Sequence, residues 1–198
     1  MTKTTVDQIR FTTADLDLLP EDGNRYEVID GDLFVTRSPH WNHNKVVGRL
    51  YNAVDSWSLS DKGYGEAVLV PGIVFDQENA VEPDAVWVSD KNRLPEMLDE
   101  AGHLTEAPDL IIESLSPGSQ HERRDREVKL KLYSVRGVRE YWIVDWRTTK
   151  LEVYRRQNAK LTLVETLFPG DILRSAKPRQ RRSHLLPGFE LQLQIVFL

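Results

Sequence analysis

The chain has 198 residues, 40% of them hydrophobic and 29% charged, a balance that excludes wholesale disorder and suffices for one domain with its own core. The absence of cysteine excludes a disulfide scaffold, a thiol nucleophile and a thiolate metal site, and a net charge of −5 excludes a uniformly basic nucleic-acid-binding surface but not a local basic groove. No apolar run approaches the roughly 20 residues that span a bilayer, and Met1 to Asp7 lack the apolar core of a signal peptide, so the expectation is a cytoplasmic protein with no membrane partner.

Thr13 to Pro20 reads as a short helix, with Thr13 as its N-cap and Pro20 as its end. Arg25 to Ile29 and Leu33 to Thr36 are strand-like, and Asp30-Gly31 between them is a hairpin signal, because Gly accepts positive φ. Val46, Val47, Leu50, Ala53, Val54 and Trp57 recur at helical spacing and predict a helix from Asn42 to Trp57. Val68 to Val70, Ile73 to Phe75 and Ala85 to Val88 read as three strands, with a kink at Pro71-Gly72 and a turn at Glu78-Asn79. Lys91 to Pro108 is polar and irregular, with a short helical stretch around Glu96 to Leu98. Leu110 to Ser114 has the continuous apolar pattern of a central strand covered on both faces. A charged helix follows from Gln120 to Arg136, its apolar face drawn from Val128, Leu132 and Val135 with Leu130 and Tyr133 beside them, and Gly137 supplies the stop. Glu140 to Asp145 is a strand, and a turn at Trp146 to Thr149 leads to its hairpin partner, Leu151 to Tyr154. Leu161 to Leu167 and Phe189 to Phe197 read as edge strands, with a basic loop from Arg174 to Arg182 between them. With no repeat, linker or low-complexity tract, residues 1–198 form a single α/β domain: a mixed β-sheet flanked by helices, with additional β-hairpins.

Two acidic residues carry the chemistry. Pro83-Asp84 opens the apolar run Ala85-Val86-Trp87-Val88, and Glu113 closes Leu110-Ile111-Ile112. Buried carboxylates are costly unless paired, protonated or bound to a cation, and two on neighbouring strands repel, so a divalent metal resolves the conflict. Lys129 and Lys131 follow on the charged helix. They point about 200° apart, so only one can face a site and orient or deprotonate a water there. Each residue also has a bland reading: a turn at Pro83-Asp84, a hydrogen-bonded buried Glu113, and an exposed i,i+4 pair between Asp125 and Lys129. On spacing alone the bland reading is the stronger.

The ordered company of these residues tips the balance. Pro108-Asp109-Leu110-Ile111-Ile112-Glu113-Ser114-Leu115-Ser116-Pro117, then Asp125-Arg126, Lys129, Tyr133 and Gly137-Val138-Arg139-Glu140-Tyr141-Trp142-Ile143-Val144-Asp145, resemble the Uma-type putative restriction endonucleases. Upstream, Arg25 to Gly31, Ser38-Pro39-His40, His43 and Pro83-Asp84 fit the same pattern. The resemblance spans most of the chain and implies a restriction-endonuclease-like fold of the PD-(D/E)XK nuclease superfamily. It implies Mg2+, with Mn2+ as a substitute, held by Asp84 and Glu113. The superfamily lysine sits two residues after the acid, where this chain has Leu115; the family supplies one from the helix, and Lys129 is the matching position. Glu27 matches a further family glutamate, against its reading as an exposed strand residue beside a hairpin.

The expected activity is metal-dependent DNA endonuclease hydrolysis of phosphodiester bonds, by a homodimer where duplex cutting needs two sites. The alternative is a catalytically inactive nucleic-acid-binding or structural protein that keeps the fold. Around the core set, His43 reads as a phosphate or metal-water contact or as a first-turn surface residue. Ser116 and Ser119 read as caps, Tyr133 as a core aromatic ahead of a residue that reaches the site, Trp87 and Trp142 as sheet-packing residues ahead of base-stacking platforms, and Asp145 as a turn initiator. His121 to Arg124 and Lys177 to Arg182 are basic stretches that read as solvated faces or phosphate contacts.

Overall fold

In a computed structural model of the protein, residues 9–174 and 185–198 are described. Met1 to Asp7 and the basic stretch Lys177 to Arg182 lie outside them. Helix α1 (Thr13–Leu16) leads into the hairpin of β1 (Arg25–Ile29) and β2 (Asp32–Thr36), followed by α2 (Trp41–Ser58). Strands β3 (Glu66–Leu69), β4 (Ile73–Asp76), β5 (Asn79–Val81) and β6 (Ala85–Val88) come next, then a 3-10 turn (Lys91–Arg93) and α3 (Leu94–Met97). Strand β7 (Leu110–Ser114) precedes a three-part helix: α4 (Ser119–Arg123), a π-helical turn (Arg124–Lys129) and α5 (Leu130–Arg136). The chain closes with β8 (Glu140–Asp145), β9 (Lys150–Gln157), β10 (Lys160–Leu167), β11 (Ile172–Arg174), β12 (Glu190–Gln192) and α6 (Leu193–Phe197).

The main sheet has six strands in the order β10-β9-β8-β7-β6-β3, and β7 and β8 run parallel. A parallel pair needs a long crossover, which the three-part helix supplies. As its apolar pattern predicts, β7 is buried along its whole length and paired on both sides. The pleat sends alternate residues to opposite faces. Leu110, Ile112, Trp142 and Val144 pack under α2 and α6. Ile111, Tyr141 and Ile143 pack with Ile29 of β1 and with Leu132 and Tyr133 of α5. A second sheet, β2-β1-β5-β4, covers this latter face.

The β1–β2 hairpin forms as expected, with Asp30 and Gly31 both at positive φ (48° and 74°). Gly137 ends α5 in the left-handed conformation. Several expectations are corrected. The first helix is capped by Thr12 rather than Thr13, and the Asp15 carboxylate accepts from the Thr12 N–H and hydroxyl at 2.7 and 2.8 Å. Pro71-Gly72 passes the chain from the main sheet (β3) to the second sheet (β4), and Asn79 begins the short strand β5 rather than a turn. The segment from Phe189 to Phe197 is only three residues of strand before α6, because Leu193 and Val196 bury against the α2 layer at helical spacing. The largest correction concerns the charged helix. Val135 is 71% exposed, and the inward stripe is Asp125, Lys129, Leu132 and Tyr133. Polar residues line that stripe because carboxylates wait beneath it.

Candidate active site

The register of the central strands assembles the site. Ala85 lies opposite Ile112, Val86 opposite Ile111 and Trp87 opposite Leu110. One step further along this register places Asp84 opposite Glu113. Opposed residues on antiparallel strands share a face, with Cβ atoms about 5 Å apart. Both side chains therefore project to the face covered by the helix and the β1 sheet, and both are buried. The Ser114 N–H donates to Asp84 Oδ2 at 2.8 Å and ties the two strand ends together.

Glu27 comes from β1, on the same pleat face as Ile29, which packs on this core. It is 1% exposed, not the surface strand residue of the bland reading. Lys129, also 1% exposed, places Nζ 2.7 Å from Glu113 Oε1 and 2.8 Å from Glu27 Oε1. The Tyr133 hydroxyl donates to the same Glu113 oxygen at 3.0 Å. Lys131 points away and pairs with Asp30 at the surface. The exposed Asp125–Lys129 pair does not form: both residues are buried, and Asp125 accepts from Arg124 Nε at 3.0 Å. The π-helical turn from Arg124 to Lys129 widens the helix so that Arg124, Asp125 and Lys129 all turn inward.

His43 is buried in the first turn of α2, with Nε2 3.2 Å from Asp84 Oδ2. Arg25, on the Glu27 face of β1, brings Nη1 within 3.1 Å of Asp84 Oδ1. Arg124 reaches Glu27 at 3.6 Å and donates to the Thr36 hydroxyl. Sequence reasoning missed Arg25, Arg124 and Asp125 as members of this cluster; Tyr133 fulfils both of its readings, a fully buried core aromatic whose hydroxyl reaches Glu113. The only local signal was the polar residues recurring four apart with Tyr133, at Asp125 and Lys129. Asp145, by contrast, does organise its turn, accepting from the Arg147 N–H and the Thr148 hydroxyl. Trp87 and Trp142 are core residues whose indole N–H groups donate to Ser58 and Glu140. Ser119 caps nothing; α4 starts after Gly118 without a side-chain cap.

Burial pushes Glu113 up to about 7; Lys129 opposes this, while Asp84, Asp125 and Glu27 add to it. Burial also raises Asp84, but the His43 hydrogen bond and charge, the Ser114 N–H and Arg25 outweigh it and hold the carboxyl at about 2. Glu27 is likewise held below the usual carboxylate range, because Lys129 and Arg124 overcome its desolvation. Lys129 is desolvated too, yet Glu113 and Glu27 raise it well above an ordinary lysine, so it stays an ammonium.

Asp84, Glu113, Ser114 and Ser116 border a polar cavity of about 20 Å3, room for about one water or ion. Among the described residues no three acidic or histidine side chains form a ready metal cage. The donor set nonetheless fits Mg2+, which binds oxygen through one or two carboxylates and keeps its waters. The buried Ser114 Oγ has no hydrogen-bond partner among the described residues.

A mixed sheet that delivers two carboxylates and a helix-borne lysine to one end of its central strands defines a nuclease-like α/β protein. The chain belongs to the Uma2 family, described as a putative restriction endonuclease, whose model matches residues 13–194. Its fold is similar to that of a putative nuclease of the DUF820 group from Anabaena variabilis ATCC 29413, solved at 1.96 Å. The TM-score is 0.70 at 20% identity, over 94% of this chain and 97% of that one, a likeness of fold. No curated protein matches the chain. No helix among the described residues is long and apolar enough to cross a membrane.

Proposed function

We propose that this protein is a Mg2+-dependent DNA endonuclease, a single catalytic domain working in the cytoplasm. The observation that carries the reading is the pairing of Asp84 and Glu113 across adjacent strands at one small polar cavity, with the Lys129 ammonium on Glu113. Asp84 and Glu113 would hold the metal, Mg2+ or Mn2+. When bound, the ion supplies a Lewis acid for the scissile phosphate and lowers the pKa of its water.

The chain's own residues do the rest. Lys129 is a locked ammonium between two carboxylates, so its part is to fix Glu113 and neutralise charge that develops at the phosphate, not to accept the proton of the water. Glu27 holds Lys129 from the other side and is a positioning residue. His43 and Arg25 hold Asp84 in one orientation. Cutting both strands of a duplex calls for two such sites and hence a homodimer.

Purified protein incubated with supercoiled plasmid should nick or linearise it in Mg2+ or Mn2+ and not in EDTA. Asp84→Ala and Glu113→Ala should both abolish cleavage while retaining the circular dichroism of the parent. Undiminished cutting by both variants would sink the assignment.

A further inference from the structure

Arg37 stands out among the basic residues at the site. Arg25, His43 and Arg124 also line the small cavity, and each is committed to a carboxylate. Arg37 is exposed and has no ion pair among the described residues. It also lines a larger neighbouring cavity of about 520 Å3, together with His40, Ser116 and His121, and among the described residues no carboxylate borders that space. A third cavity of about 480 Å3 continues from it past His121 along β2. The shared walls make one groove that leads out from Asp84 and Glu113; Asp32 borders its far end, beside Arg123, and the stretch around Arg37 nearest the two acids is lined by no carboxylate among the described residues.

The groove carries aromatic surface as well. His40, in its wall, stacks on Trp146 with ring centroids 4.5 Å apart and planes 5° from parallel. Trp41, the next residue and the first of α2, is 80% exposed. Trp41 borders none of the three cavities, and a single exposed aromatic is ordinary on a surface, but one residue beyond His40 in the groove wall it stands within reach of a strand leaving the groove. Positive charge tracking a backbone, with aromatic side chains beside it, is how proteins hold unpaired nucleic-acid strands.

We infer that the groove takes an unpaired DNA strand, with Arg37 gripping the phosphate next to the scissile one and Trp41 stacking on a base. The inference rests on the nuclease reading and deepens it: each site prefers single-stranded DNA or a single-stranded region, so that the two sites of a dimer each engage one unpaired strand.

The test is binding of a fluorescein-labelled 20-nucleotide strand and of its duplex to the full-length protein, with Ca2+ in place of Mg2+, over a range of salt. The parent should bind the single strand more tightly. Arg37→Ala should weaken binding and flatten the plot of log affinity against log salt by about 0.7, the share of one single-strand phosphate contact, and Arg37→Lys should restore the slope. Trp41→Ala should leave the slope alone, weaken strand binding about 5- to 160-fold and remove the preference over duplex. Equal or tighter duplex binding by the parent overturns the inference, as do variants that bind like the parent. A Trp41→Ala protein of lower sedimentation mass with unchanged DNA affinity would make the patch a contact between copies. A parent that cuts plasmid while the variants bind normally sinks this inference alone; a parent that binds no DNA sinks the nuclease reading with it.

Discussion

Replacing Lys129 with Met tests the ionic centre directly, because Met keeps an unbranched apolar stem and removes the ammonium with its charge and its donors. Lys129 Nζ lies 2.7 Å from Glu113 and 2.8 Å from Glu27, and all three side chains are buried. At an effective dielectric of about 20, each contact is worth roughly 6 kcal/mol before desolvation is counted. Breaking a buried pair by deleting one partner costs about 3–5 kcal/mol. Here one deletion strands two carboxylates, so the upper end of that range is expected at pH 8, a large part of the roughly 5–15 kcal/mol that holds a domain together. The penalty has a pH signature. Without the ammonium, the folded-state pKa values of Glu27 and Glu113 rise above their unfolded values, and groups shifted that way destabilise the fold once they ionise. The deficit should therefore shrink as pH falls from 8 towards 5. Adding Glu27→Gln to Lys129→Met should recover part of the loss at pH 8, since one orphan charge is then gone. Urea unfolding followed by tryptophan fluorescence at the two pH values reads all of this. A loss under about 1 kcal/mol at pH 8, or an equal loss at both pH values, would refute the reasoning.

The reassigned helix face makes a matched pair of predictions by urea titration: Leu132→Ala should cost about 2–5 kcal/mol, and Val135→Ala should stay within about 0.5 kcal/mol because Val135 is exposed. Ser58→Ala leaves the buried Trp87 indole N–H without its 2.8 Å acceptor and should lower stability by about 1–3 kcal/mol in the same assay. Gly65 has φ +79°, and a Cβ there would meet the Val88 carbonyl oxygen at 2.4 Å. Gly65→Ala should therefore lower the thermal midpoint by several degrees, more than a surface substitution such as Val135→Ala, when both are melted by calorimetry.

What the sequence made legible was what short-range chemistry decides. Asp30-Gly31 specifies a tight hairpin because both residues tolerate positive φ. The unbroken apolar run Leu110 to Ile112 has the pattern of a strand covered on both faces, and β7 is one. The two acids were legible for the same reason: an acidic residue at the end of an apolar strand is expensive, and the expense needs an explanation. Lys129 against Lys131 was undecided at that level, since helical spacing separates their directions without saying which is inward.

The rest of the site was hidden by the rule that makes sequences readable at all. Hydrophobic periodicity assumes that the inward face is apolar, and by that rule Val128, Leu132 and Val135 should face the core. Leu132 is buried and Val128 packs against the core as that rule expects, but Val135 is exposed; Asp125 and Lys129 turn inward beside them, because Glu113 and Glu27 are already buried there and need an ammonium between them. The π-helical turn then disturbs the 3.6-residue count, so the stripe drifts away from the one the pattern traces. Arg25 escaped for a different reason. Its partner Asp84 is 59 residues away, and only the packing of one sheet on the other brings them together. The charged residues that the pattern assigns to solvent are thus the ones that organise the cavity. A polar residue recurring every fourth position on an otherwise ordinary helix, after a strand that ends in an acid, is the sequence sign of an inward ionic stripe, and the Lys129→Met variant measures whether that stripe holds the fold.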